Sequence, residues 1–220
     1  MTLESSKNLG GIGAILMFIG LIPGAQPYLG IIALVGLILV LVALHGFADY
    51  YKESGIFNNS IYGVVAGIVG IVIAGVVIAY LFFYTSILTD FLHKIYPGWN
   101  GNWSTLSGLT PTISNITTSD VLPILGSILT VLVILWISAI IAAFFLRRSL
   151  KTLSAKASVG LFSTAALLLL IGAFLTIFLI GFLLMWIAAL LIAIAFFEIK
   201  PQPEQPVATM APPSPTPTPV

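Results

Sequence analysis

The chain has 220 residues, of which 59% are apolar and only 7% charged, with a formal net charge of +1. Soluble domains carry roughly a quarter charged residues to keep their surfaces wet, so this composition excludes a water-soluble fold and makes lipid the main solvent. The near-zero charge offers no basic stripe to nucleic acid, and the lack of cysteine removes disulfides, thiol nucleophiles and cysteine-ligated metals.

A membrane-crossing helix needs about 20 largely apolar residues. The first predicted span covers about residues 9–22 and stops at Pro23-Gly24-Ala25-Gln26-Pro27, a turn by its Pro and Gly content. Glu4 beside Lys7, and Pro23 two residues before Ala25, make a poor cleavable leader, so the span is expected to be retained. A second span covers residues 28–47 and a third 61–84. The fourth, 121–146, opens after Ser119-Asp120 as N-cap residues, with Pro123 accommodated in the first turn. From Val159 to Phe197 about 39 residues carry no charge. As one helix this run would measure roughly 58 Å, nearly twice the hydrocarbon thickness. It must fold back, with the turn expected between Ala173 and Gly181 and spans over 159–175 and 180–197. The predicted fold class is an all-α polytopic transmembrane bundle of six spans.

Six passes sort the polar segments into two sets. One holds Lys7, Lys52, Arg147, Arg148, Lys151, Lys156 and Lys200; the other holds Lys94 alone. The positive-inside rule makes the first set cytoplasmic, with both termini inside a multipass protein of the cytoplasmic membrane. The long polar loop, residues 85–120, then lies outside. It carries two candidate glycosylation acceptors, Asn102-Trp103-Ser104 and Asn115-Ile116-Thr117, whereas Asn58-Asn59-Ser60 would lie inside. Tyr84, Trp99 and Trp103 suit the outer interface, and Tyr50, Tyr51 and Tyr62 the inner one.

Small residues recur along the third span: Ala66, Gly70 and Ala74 on one stripe, Gly63 and Gly67 on its neighbour. Such stripes let helix backbones approach closely in lipid. No acidic or basic residue sits at the centre of any span, which removes the usual basis of proton relays and voltage sensing. His45, Asp49, Lys52, Arg147, Arg148 and Lys151 form a candidate polar cluster at the inner face. His45 and Asp49 share a helix face, and Asp49 or Glu53 is expected to pair with Arg147 or Arg148. Arg147 and Lys151, with Lys156 nearby and Leu146, Leu150 and Leu153 alongside, suit a short interfacial helix near anionic headgroups. Asp90, His93 and Asp120 are the only residues outside that could gather on a metal.

No HExxH, phosphate loop, Ser-His-Asp set or membrane-embedded carboxylate pair occurs. The chain is therefore expected to be no enzyme and to need no cofactor. Lys7-Asn-Leu-Gly-Gly-Ile-Gly and Lys156-Ala-Ser-Val-Gly each place a lysine shortly before a glycine at the start of a two-helix hairpin, a faint parallel echo. The segment from Pro201 to Val220 is rich in Pro and Thr and nearly uncharged, so a disordered cytoplasmic tail is expected; Pro203-Glu-Gln-Pro206 and Pro212-Pro-Ser-Pro215 have PxxP spacing.

These polar landmarks carry a resemblance. Lys7-Asn-Leu-Gly-Gly-Ile-Gly, Gly46-Phe-Ala-Asp-Tyr-Tyr-Lys52, Ile56-Phe-Asn-Asn59, Tyr62-Gly63, Phe145-Leu-Arg-Arg-Ser149, Lys156-Ala-Ser-Val-Gly160 and Phe196-Phe-Glu-Ile-Lys-Pro201 resemble the largely archaeal multipass proteins of domain-of-unknown-function family 996. The likeness spans nearly residues 1–201 apart from the outer loop. It implies an integral membrane protein and supplies no substrate or catalytic residue. The expected partners are membrane lipid and a protein partner or second copy, with no nucleic acid. A small-solute channel or transporter is the rival expectation.

Overall fold

The structure is a computed structural model that describes residues 2–22, 28–114 and 116–201. The expected turn at residues 23–27, the sequon asparagine Asn115 and the tail beyond Pro201 lie outside the described residues. All regular structure among the described residues is helical: α1 (Leu3–Gly20), α2 (Tyr28–Tyr50), α3 (Ser54–Phe83), α4 (Ile87–Ile95), α5 (Thr118–Ala157), α6 (Gly160–Leu175) and α7 (Ile180–Glu198). Apolar segments of this length have no other way to satisfy their backbone in lipid. Five of these helices are long and apolar enough to cross a membrane: α2, α3, α5, α6 with the turn that follows it, and α7. The remaining long helix, α1, has 18 residues and carries Glu4, Lys7 and Asn8 in its first two turns.

The six longer helices close a ring. Each packs on its neighbours in the order α1, α2, α3, α5, α6, α7, and α7 returns to α1. The buried core sits at one end of that ring, where the start of α1 meets the ends of α2, α5 and α7 and the starts of α3 and α6. Leu44, Phe47, Ile56, Leu153, Phe162, Phe196 and Ile199 fill it. Phe196 stacks on Phe47 with centroids 5.7 Å apart and meets Phe162 edge-on at 5.0 Å. Toward the other end, apolar side chains of α3 and α5 such as Ile71, Val76, Leu122 and Leu129 are exposed.

Helices α3 and α5 reach beyond the apolar runs that nucleate them. Forty residues make α5 about 60 Å long, twice the hydrocarbon core. The segment expected to form a separate interfacial helix, with Arg147, Arg148, Lys151 and Lys156, is instead its unbroken continuation, because Ser149, Leu150 and Leu153 are buried against the core. Its N-cap is Thr117 rather than Ser119 or Asp120, and the Asp120 carboxylate accepts hydrogen bonds from both the amide (2.9 Å) and the hydroxyl (2.7 Å) of Thr117. Pro123 therefore falls in the second turn, where it leaves one carbonyl without its helical N–H.

Three reversals are tight, and each uses one non-glycine residue in the left-handed region: Lys52 between α2 and α3, Ser158 between α5 and α6, and Leu179 between α6 and α7. The last lies within the window read from the sequence, and its chemistry explains why no polar residue marks it. Thr176–Phe178 form a single 3-10 turn, and the Thr176 hydroxyl bonds the Ala173 carbonyl. A Cβ on Gly181 would strike the Gly172 carbonyl oxygen and the Thr176 amide nitrogen. Backbone contact between two glycines thus closes a reversal made almost wholly of apolar side chains.

Between α3 and α5 the seam runs Ser60, Gly63, Gly67, Gly70 and Ala74, alternating steps of three and four. Ser60, Gly63, Gly70 and Ala74 are buried, a Cβ added at Gly67 would lie 4.0 Å from the Ala142 Cβ, and Ala66 is half-buried beside the seam. The two stripes expected at strict four-residue spacing therefore merge into one, as left-handed packing requires. Glycines also let α1 approach its neighbours: Gly13 faces the Gly36 carbonyl oxygen, and Gly10 lies under the Phe196 ring.

The outer segment is folded rather than an open loop. Helix α4 is followed by a 3-10 turn over Trp103–Gly108. Trp99, expected at the interface, is only 4% exposed, with Trp103 at 5.2 Å and His93 at 4.9 Å between ring centroids. Its indole N–H donates to the Asn102 carbonyl at 2.8 Å.

Candidate functional site

Seven cations lie at the packed end of the ring, and three of them, Lys52, Arg147 and Lys151, line two separate clefts there. On α2 and α3, His45, Asp49 and Lys52 join Ser54, Phe57 and Asn58 around a cavity of about 440 Å³. His45 Nε2 lies 3.9 Å from the Asp49 carboxylate, and its ring tilts against Phe57 at 4.7 Å. Both partners are more than half exposed, so this contact is a solvated pair.

On α5 and α6, Arg147 and Lys151 face Ser163 and Thr164 across a cleft of about 210 Å³ floored by Ala166 and edged by Leu167. Arg148 points to neither cleft and is exposed; the Thr152 hydroxyl donates to its carbonyl. The expected cluster of six is thus three plus two, with Arg148 apart. Ser163 and Thr164 were absent from the sequence reading because hydroxyls inside an apolar helix usually bond their own backbone. Thr164 does so, to Gly160 at 3.5 Å.

Glu53 bridges the two halves, though not to an arginine. Its carboxylate meets Lys156 Nζ at 3.3 Å. Arginines 147 and 148 lie two to three turns back along α5, out of reach of the short α2–α3 turn, whereas Lys156 is beside the α5–α6 turn. Tyr51 packs between these elements, and its hydroxyl is buried without a hydrogen-bond partner among the described residues. Burial, and then the neighbouring Tyr50, push its phenol pKa up.

At the opposite end, α4 brings Asp90 and His93 onto a cleft with Lys94 and Asp120. Lys94 ion-pairs with Asp120, and His93 Nδ1 contacts the Thr89 carbonyl at 2.8 Å. No group of three metal-ligating side chains is poised for an ion among the described residues. Asn102 is exposed and its side-chain oxygen accepts from both the amide and the hydroxyl of Ser104, which orders the sequon.

Relatives give the frame. The model of the family described as "Protein of unknown function (DUF996)" matches residues 32–190. The chain belongs to the DUF996 family. An uncharacterised protein of Methanocaldococcus jannaschii is 27% identical to it over 199 residues, covering 90% of this chain and 94% of that protein. No solved structure gives a significant match. The family match runs from α2 into α7 and so takes in the two clefts at the packed end and the α4 segment.

Proposed function

We propose that this DUF996 protein is a six-pass, non-enzymatic component of the cytoplasmic membrane that holds lipid or protein partners at its cationic face. Helix α1 supplies the sixth pass: it lies between α2 and α7 and completes the ring. The cationic end, with Lys7, Lys52, Arg147, Arg148, Lys151, Lys156 and Lys200, faces the cytoplasm, and Asn102 faces outward.

The observation that carries this reading is the plug of Phe47, Phe162 and Phe196 at the cationic end, each with no exposed surface. A water-filled path along the ring axis would have to pass through those rings, which disfavours the channel reading. The cations surround the plug, and Arg147, Arg148 and Lys151, which make no ion pair among the described residues, are open to partners.

The cysteine-free chain allows a direct test. Single substitutions Ser104→Cys and Arg148→Cys, each labelled in intact cells with a membrane-impermeant maleimide, should react from outside only at position 104. Proteoliposomes should release an entrapped small dye no faster than protein-free vesicles. Labelling of both positions from one side, or protein-dependent release, would overturn the reading.

A further inference from the structure

The α5–α6 cleft has the chemistry of a specific ligand site. Arg147 and Lys151 are one helical turn apart, so their like charges share a face and repel within α5. Neither has an ion-pair partner among the described residues: Glu53 is taken by Lys156, and Asp49 lies by His45. Ser163 makes no hydrogen bond among the described residues, so its hydroxyl remains free to donate. Helix α6 begins at Gly160 with no side-chain cap, so the positive end of its dipole lies at the same level. The α5–α6 turn is short and pinned, with the Ser154 hydroxyl on the Val159 carbonyl at 2.9 Å and the Val159 amide on the Ser154 carbonyl at 3.2 Å. The two cations and two hydroxyls are therefore held in fixed register before any ligand arrives.

We infer that this cleft binds a phosphate group, and that the group belongs to the headgroup of an anionic phospholipid. A guanidinium and an ammonium beside the Ser163 hydroxyl match the acceptor oxygens of a phosphate. The surroundings identify the source. The cleft lies where α5 emerges from its apolar run, and Ala166, Leu167 and the exposed Phe144 continue from it into the apolar faces of α5 and α6. A lipid seated there places its phosphate between Arg147 and Lys151 and its chains along those faces. The cleft, of about 210 Å³, has room for a headgroup phosphate.

This inference rests on the membrane reading above, yet its test does not depend on which way the protein faces. The full chain in dodecyl maltoside is melted with added dioleoyl phosphatidylglycerol, dioleoyl phosphatidylcholine, dioleoylglycerol or inorganic phosphate. Phosphatidylglycerol should raise the melting temperature at roughly tenfold lower concentration than phosphatidylcholine, in line with two basic residues near an anionic headgroup. Dioleoylglycerol and inorganic phosphate should give little. The double variant Arg147→Gln/Lys151→Gln should lose the preference, while the charge-matched control Arg148→Gln/Lys200→Gln keeps it. Ser163→Leu fills the exposed mouth of the cleft without touching either cation; it should abolish the preference and leave the lipid-free melting temperature unchanged, which covers the case of a misfolded double variant. Equal losses in both double variants would reduce the effect to general surface charge and overturn the site. Equal protection by inorganic phosphate would overturn the lipid assignment. The orientation can fail in the labelling experiment while this preference stands, and the reverse.

Discussion

Ser60 of α3 and Ser149 of α5 meet with their hydroxyl oxygens 2.7 Å apart, and both also contact the Ile56 carbonyl, at 2.9 and 2.5 Å. Neither side chain exposes more than 1% of its surface. Two hydroxyl protons serve three contacts, so each residue can be lost while the other stays bonded to Ile56. Ser149→Ala and Ser60→Ala should each cost about 0.6 kcal/mol, as measured for interhelical hydrogen bonds in lipid. The double variant should cost less than the sum if the hydroxyl pair matters, read by unfolding in mixed micelles. Strict additivity would mean that the two serines act independently.

The α3–α5 seam gives a sharper contrast. A Cβ at Gly70 would collide with the side chain of Ser138, whereas one at Gly75 meets nothing within 4 Å. Gly70→Ala should therefore destabilise by about 1–3 kcal/mol through forced separation of the helices. Gly75→Ala should be neutral or stabilising by up to about 1 kcal/mol, since alanine is the better helix former. Thermal melting of both variants in detergent checks the pair, and similar melting temperatures would mean that α3 and α5 are not held this closely.

How much of this was legible follows from which signals have a period. Apolar runs announce themselves over 20 residues, so the helices and the fold class could be read from the sequence. Helix ends were misjudged where tertiary burial takes over from hydropathy. Residues 147–157 look like a polar connection, but Leu150 and Leu153 make them part of the core. The small residues of α3 were visible, yet the seam's alternating three–four spacing depends on α5 as partner. Ser163 and Thr164 could not be distinguished from backbone-bonded hydroxyls until α5 was laid opposite them. Six polar residues near one membrane face looked like one cluster, because sequence orders them along the chain and not around the ring.

The Glu53–Lys156 contact corrects the pairing expected with Arg147 or Arg148, and it predicts a rescue. Both side chains are partly exposed, so the pair should contribute no more than about 1 kcal/mol. Glu53→Lys should lower the melting temperature at low salt, and adding Lys156→Glu should restore it. Adding Arg147→Glu or Arg148→Glu should not. Rescue by either arginine variant would move the bridge between two and three turns along α5.

Ser158 adopts φ +55° at the α5–α6 turn, where a side chain carries strain of roughly 1–2 kcal/mol relative to glycine. Glycine also gives the unfolded chain more freedom, at roughly 0.5–1 kcal/mol. Ser158→Gly should accordingly leave stability level or raise it by up to about 1 kcal/mol, and it removes no hydrogen bond of the Ser154–Val159 lock. A clear loss of stability in chemical unfolding would show that the hydroxyl, rather than the backbone, holds this turn.

Asp120 ties α4 to the start of α5 and sets an acid limit on that junction. It precedes the apolar run of α5, which begins at Val121. The hydrogen bond from Lys94, followed by those from the Thr117 amide and hydroxyl, lowers its carboxyl pKa from 3.8 to about 2. A depressed carboxyl favours the docked state fully above its ordinary value, and that contribution disappears as pH falls from 3.8 through about 2. Docking of α4 should thus be constant from neutral pH to about pH 4 and fail below it. Trp99 reports the change: it is buried beside His93 of α4, so undocking exposes it and shifts its emission to longer wavelength. Following that emission in Trp103→Phe, Trp136→Phe, Trp186→Phe protein isolates the signal. Asp120→Asn should show the red-shifted emission already at neutral pH. A transition centred well above pH 4, or an Asn variant that still matches the parent, would mean that α4 is held by apolar packing of its own Leu88 near Ile124 and Ile128 of α5 rather than by the Lys94–Asp120 bridge.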